Sequence, residues 1–178
     1  MLSVEQQVLE LKAAIKRHIK EELKFQPKLW DGLEETRNCF TYAFNIRSGE
    51  IDRDIIANYG ELVGKSINHR SVTVDEVYDI AIEMLEKLGV GYKKCYFETE
   101  VPEGYFKIAW YCSKQDIHWL RLDDDGTWSH KQVWYRKPTN VDLDGNLILN
   151  PETASIELSD GDQLLDIRYL LISRNYQG

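Results

Sequence analysis

Apolar spacing changes abruptly between Gly89 and Gly91. Ahead of that point Val77, Ile80, Ala81, Met84, Leu85 and Leu88 recur every three or four positions, the repeat of one helix face. Beyond it the chain turns to short runs rich in Tyr, Phe, Trp, Val and Ile, residues whose branched or planar side chains suit a pleated surface. Helices first and strands second define an α+β chain: a helical part over about 1–90 and an antiparallel sheet over about 91–178. With 178 residues, no internal repeat and no linker rich in Gly, Pro or Ser, the expectation is a single domain over 1–178 with one core.

Three helices are predicted. Val4, Val8, Leu11, Ile15, Ile19 and Leu23 form an amphipathic stripe, opened by Ser3 and Gln6 in the spacing of a capping box. After Pro27 and Asp31-Gly32, the segment Asn38-Cys39-Phe40-Thr41-Tyr42-Ala43-Phe44 reads as a short helix with Cys39 at its start. Thr73 and Glu76 repeat the capping box ahead of the third helix, and Gly89 stands at its stop position. Residues 47–72 keep no period and read as irregular, with room for short helical turns.

Strands are expected over Tyr92–Glu98, Tyr105–Cys112, Ile117–Leu122, Thr127–Trp134 and Leu164–Ser173. The links Pro102-Glu103-Gly104 and Asp123-Asp124-Asp125-Gly126 suit antiparallel neighbours, so a meander is the simplest topology. Trp110, Trp119, Trp128 and Trp134 crowd this region as core or cross-strand packing, with an aromatic cleft as the less common use.

Charge narrows the function classes. Lys and Arg total 22 against 30 Asp and Glu, and no basic block exists to neutralise phosphates, so nucleic acid is not an expected partner. No apolar run approaches the roughly 18 residues of a membrane span, and the N-terminal stretch is charged rather than signal-like. A cytoplasmic protein without a membrane partner follows, one that reaches any cell-wall substrate only by a separate release route.

Cys39, Cys95 and Cys112 are odd in number and lack paired spacing, so neither a disulfide framework nor a zinc site is indicated, and no metal or cofactor is expected. Cys95 and Cys112 fall in strands and read as buried hydrophobes. Cys39 begins a helix, where unpaired N–H groups favour a thiolate. Asp142, Asp144 and Asn146 have the first spacings of a calcium loop, but Leu147 and Thr153 stand where glycine and glutamate are required, and Asp123 to Asp125 are turn residues.

A thiol nucleophile needs a base. His18 belongs to the first helix and reads as surface; His69 sits in the irregular stretch without supporting context. His118 opens Ile117–Leu122, and His130 lies on the returning arm of the same hairpin. If Asp124, Asp125 and Gly126 form a three-residue loop with Gly126 left-handed, Leu120 faces His130, and the two imidazoles share one face as diagonal neighbours. A loop one residue longer places them on opposite faces.

A helix-start cysteine, a strand opening with histidine and a second histidine twelve residues on resemble the pattern of NlpC-type cysteine peptidases, a circularly permuted branch of the papain-like superfamily. Those peptidases carry Asp-Cys-Ser-Gly where this chain has Asn38-Cys39-Phe40-Thr41, and His-Val-x-Ile-Tyr, a turn and His-Ala beside His118-Trp119-Leu120-Arg121-Leu122, the turn and His130-Lys131. The string Asp116-Ile117-His118-Trp119 through Asp125-Gly126-Thr127-Trp128-Ser129-His130-Lys131, with Asp142-x-Asp144-Gly145-Asn146 and Asn150-Pro151, is also similar to uncharacterised bacterial and phage proteins. The likeness covers residues 38–46 and 105–151.

The resemblance implies a papain-like fold with Cys39 as nucleophile, His118 as base and His130 orienting His118 and stabilising its charged form. The expected activity is a thiol-dependent amide hydrolase (peptidase, amidase or deamidase) or an acyl transferase, acting on a peptide, a peptidoglycan fragment or a protein side-chain amide. Asp142 or Asp144 is a lesser option for a third, acidic partner of the histidine. The competing class is a non-catalytic bacterial or phage binding protein that keeps the fold.

Overall fold

The computed structural model describes residues 2–68, 71–132 and 134–178, so His69 lies outside the described residues. Helix α1 spans Val4–His18 and closes the Ser3–Gln6 capping box at 3.2 and 2.9 Å. It stops before Leu23, yet Ile19 and Leu23 stay buried in the chain that follows. His18 is not free surface: its ring bonds the Glu21 carboxylate at 2.7 Å and the Ser48 hydroxyl at 2.9 Å, tying the end of α1 to the loop around Ser48.

Helix α2 is Cys39–Ala43, α3 is Arg53–Ala57 and α4 is Val74–Lys87. The stretch read as irregular thus contains α3, capped by the Asp52 side chain, and a 3-10 turn over Tyr59–Val63. Both are too short to display a helical period. Gly89 ends α4 at φ +73°, and a Cβ there would stand 2.5 Å from the Gly178 Cα, so backbone sign and close approach both require glycine.

Five antiparallel strands make one sheet: β1 Tyr92–Cys95, β2 Tyr105–Ser113, β3 Ile117–Leu122, β4 Trp128–Ser129 and β5 Leu164–Ser173, in the order β1-β5-β2-β3-β4. The meander holds for β2-β3-β4 only. β5 enters between β1 and β2, pairing Tyr169 with both Cys95 and Ala109. Its run Tyr169–Ile172 is buried throughout, as suits an interior strand, whereas β1 carries exposed Lys93 and Lys94, as suits an edge. The fourth strand is shorter than expected because the chain leaves β3 after Ser129 and His130 pairs with Thr139 instead.

Alternation along the strands divides the apolar residues between two faces. Phe106, Ile108, Trp110 and Cys112 of β2, Ile117 and Trp119 of β3, and Leu170 and Ile172 of β5 meet the helices in the larger core. Ala109, Tyr111, Leu120, Trp128 and Tyr169 form a second layer with Ile148. Trp110, Trp119 and Trp128 are therefore core residues, each contributing on the order of 2–3 kcal/mol by burial, not an aromatic binding surface.

Candidate active site

Helix α2 is fixed before its chemistry begins. The Asn38 side chain accepts from the Thr41 N–H at 3.1 Å, the Asn38 N–H donates to the Thr41 hydroxyl at 2.8 Å, and Asn38 Nδ2 donates to the Ile56 carbonyl at 3.2 Å. Phe40 is buried against Phe44 and Trp119, with ring centroids 5.0 and 5.8 Å apart. Both residues after Cys39 thus have structural roles: Thr41 completes the cap and Phe40 joins helix to sheet.

Cys39, the first residue of α2, is half-buried against β3. Burial, followed by the negative charge of Asp116, pushes its thiol up to about 12, while the backbone N–H groups of Trp119, Phe40 and Cys39 pull the other way. The resting group is a thiol. The helix-start effect expected from sequence is outweighed by desolvation in a helix of five residues. Burial also raises Cys112, to about 11, and Cys95. Cys112 is a core residue, whereas Cys95 on edge strand β1 is only partly buried.

The β3–β4 hairpin adopts the three-residue loop. Arg121 faces Ser129, Leu122 faces Trp128, Asp123 N–H donates to the Thr127 carbonyl at 2.8 Å, and Gly126 has φ +87°. That register brings His118 Nε2 to 2.7 Å from His130 Nδ1, the rings nearly perpendicular at 86°. Only one of the two nitrogens carries the shared proton, so the bond selects a tautomer. Burial lowers both groups, His130 to about 4, and His130 adds to the lowering of His118. His130 accordingly orients His118 as a neutral partner and does not favour its charged form.

Ile117 and Trp119 point into the helix-side core, so His118 points to the other face, with Tyr111 beside it at 6.5 Å between ring centroids. β4 pairs with Arg121 and Leu122, and among the described residues no strand pairs with β3 along that edge at Trp119. Cys39 reaches that edge from one side and His118 from the other. Both line one cleft of about 470 Å³ with Tyr59, Asp116, Gln132 and Trp134, and among the described residues no hydrogen bond joins the thiol to the imidazole. A smaller hollow of about 130 Å³ continues past His118 and Gln132 to Ser113, Glu157 and Asp162.

Several residues of this region were not singled out by sequence. Arg121 is buried, bonding Asp123 Oδ1 at 2.9 Å and the Tyr42 and Lys24 carbonyls at 3.2 Å each. Ser129 donates to Asp123 Oδ2 at 2.5 Å and meets the Tyr42 hydroxyl at 2.7 Å. This buried ring locks the hairpin to α2. Lys131 is also buried, its Nζ donating to the Glu34 carbonyl at 2.8 Å. Burial pulls Lys131 down to about 8, and negative charge on Cys39 would raise it again. A charged residue in or beside a strand ordinarily marks a solvated face, so no local signal marked these as interior. Asp142 serves its own turn, accepting from the Asp144, Asn146 and Ser155 N–H groups at 3.0, 3.0 and 3.3 Å. The partner of His118 is a histidine, not an acid.

No family model matches the chain, and no solved structure matches it. Among curated proteins it is similar to insoluble matrix shell protein 1 of Ruditapes philippinarum, 29% identical over 137 residues that cover 74% of this chain and 80% of that protein.

Proposed function

We propose that this protein is a thiol-dependent amide hydrolase or acyl transferase of papain-like type, with Cys39 as nucleophile, His118 as base and His130 as the residue that sets the His118 tautomer. The observation that carries this reading is the opening of Cys39 and His118 onto one cleft, with His118 Nε2 held by His130. When Nε2–H donates to His130 Nδ1, the other nitrogen of His118 keeps its lone pair for the thiol proton.

The resting pair is neutral on both sides, so proton transfer accompanies attack. Sulfur bonds to the amide carbonyl carbon as His118 takes its proton, and the carbonyl electron pair moves to oxygen beside the Phe40 and Trp119 N–H groups. Collapse restores the carbonyl and expels the amine, which takes the proton from His118. Water then attacks the thioester, passes a proton to His118 and frees the acid; the proton returns to sulfur. An amine in place of water gives transfer. Substrates of this chemistry are a peptide, a peptidoglycan fragment or a protein side-chain amide.

The test is acylation of Cys39 by p-nitrophenyl acetate, followed by mass spectrometry and nitrophenolate release. Cys39→Ala should abolish release, and His118→Ala should slow it by about 100-fold or more. Equal rates in wild type and His118→Ala would remove the base from the mechanism. A second reading, a non-catalytic binding protein, is favoured by the high thiol pKa and the missing thiol–imidazole bond. The name of the shell relative, an insoluble matrix protein, is in keeping with it. Under that reading neither substitution changes the background rate.

A further inference from the structure

The bridge between His130 and Thr139 closes a loop. His130 N–H donates to the Thr139 carbonyl at 2.9 Å and Thr139 N–H returns a bond of 2.8 Å, so residues 131–138 leave the sheet and rejoin it at one point. Lys131 and Pro138 at the ends are buried, while Tyr135, Arg136 and Lys137 between them are exposed. Gln132 and Trp134 of this loop line the cleft that holds Cys39. Ile56, Ala57 and Asn58, at the end of α3, line it too. Arg53, the first residue of α3, joins these two parts of the lining. Its guanidinium carbon stands 4.6 Å from the centre of the Trp134 ring and 5.3 Å from that of Tyr135, and its Nη2 donates to the Tyr135 hydroxyl at 3.1 Å.

Tyr135 has φ +78°, a backbone that glycine adopts freely and that strains an aromatic residue. The contacts opposing that strain lie at the surface. The Tyr135 N–H meets the Glu34 carbonyl at 3.1 Å, Lys137 pairs with Asp31 at 2.7 Å, and Arg136 pairs with Glu157 at 2.8 Å, beside the Arg53 clasp. Exposed ion pairs and cation–π contacts are individually weak. Strain that favours release, set against weak contacts that resist it, gives an element with two accessible states. From this we propose that residues 131–138 are a lid on the Cys39 cleft, hinged at the His130–Thr139 bridge and latched by Arg53. Unlatched, Tyr135 relaxes, Trp134 leaves the lining and the cleft widens for a bulky substrate such as a peptide chain; latched, it admits small molecules. The purpose of the lid rests on the hydrolase reading, whose site it would regulate, and its hinge is the residue that sets the His118 tautomer.

The test is size-dependent alkylation of Cys39 in the full chain, followed by mass spectrometry of the Cys39 peptide, with iodoacetamide as the small reagent and fluorescein maleimide as the bulky one. Arg53→Ala should raise the ratio of the bulky rate to the small rate by about three- to tenfold, the range of one lost cation–π latch. Tyr135→Ala removes the other half of the clasp, should move the ratio the same way, and covers the case in which Arg53→Ala does not fold. The ratio isolates access, because a change in the thiol itself alters both rates together. An unchanged ratio in both variants overturns the lid, whatever the fate of p-nitrophenyl acetate. A raised ratio without Cys39 acylation by that ester leaves the lid standing and overturns the hydrolase reading alone.

Discussion

His130 shows how far a single residue was legible. Its pairing with His118 follows from a three-residue loop with one left-handed glycine, so register, and hence which side chains meet, was available from Asp123-Asp124-Asp125-Gly126. Its charge state was not, because desolvation depends on how deeply the folded chain buries the ring, which local spacing does not report. Burial holds His130 at about 4, against an ordinary value of 6.5. The unfolded chain takes up a proton that the folded chain refuses, so stability is full above about pH 6.5 and falls as pH drops toward 4. At about 1.4 kcal/mol per unit, His130 contributes on the order of 3 kcal/mol to that loss. His130→Asn should flatten urea-measured stability between pH 7 and 4 by this order or more, since the part of the His118 lowering caused by His130 is lost with it; groups that His130 does not touch cancel in the comparison with wild type. An identical slope in both proteins would mean that the imidazole stays solvated.

At the scale of elements, the parts that announced themselves were those with their own periodicity and caps. α1 and α4 combine an apolar stripe with Ser3–Gln6 and Thr73–Glu76 boxes, whereas α2 was legible only by the apolar content of Phe40 to Phe44, its Asn38–Thr41 cap appearing in the structure. The elements that escaped are α3, too short for a period, and the end of β4, where the partner of His130 is Thr139. The connection between elements was equally hidden, since Arg121 and Asp123 look like exposed hairpin charges. Removing one partner of a buried ion pair leaves the other uncompensated and typically costs about 3–5 kcal/mol. Asp123→Asn and Arg121→Met are each expected to lose stability on that order. The double substitution should lose less than their sum by about 1–3 kcal/mol in chemical denaturation. Strict additivity would show that the two side chains do not act as one tie between α2 and the hairpin.

For the whole molecule, the strands could be named from composition, but their order could not. A strand's residues report which face is buried, not which neighbour supplies its hydrogen bonds, so nothing in Tyr92–Cys95 says that its partner comes from the far end of the chain. β5 is that partner, and it also forms the other edge of β2. Tyr176 extends the tie, its hydroxyl donating to the Leu88 carbonyl at 2.6 Å. Until residues 164–173 are in place, β1 has no partner and β2 exposes an edge together with part of the helix-side core, which lacks Leu170 and Ile172. A chain ending at Gln163 retains Cys39, His118 and His130 and every element ahead of β5. It should nonetheless show no cooperative thermal transition and should expose apolar surface to a hydrophobic dye, because the sheet closes only through its last strand. Adding a peptide of residues 164–178 should restore a transition, as the missing strand can pair on both edges. A sharp unfolding transition in the truncated chain alone would mean that the helices and the β2–β3–β4 hairpins hold the site without β5.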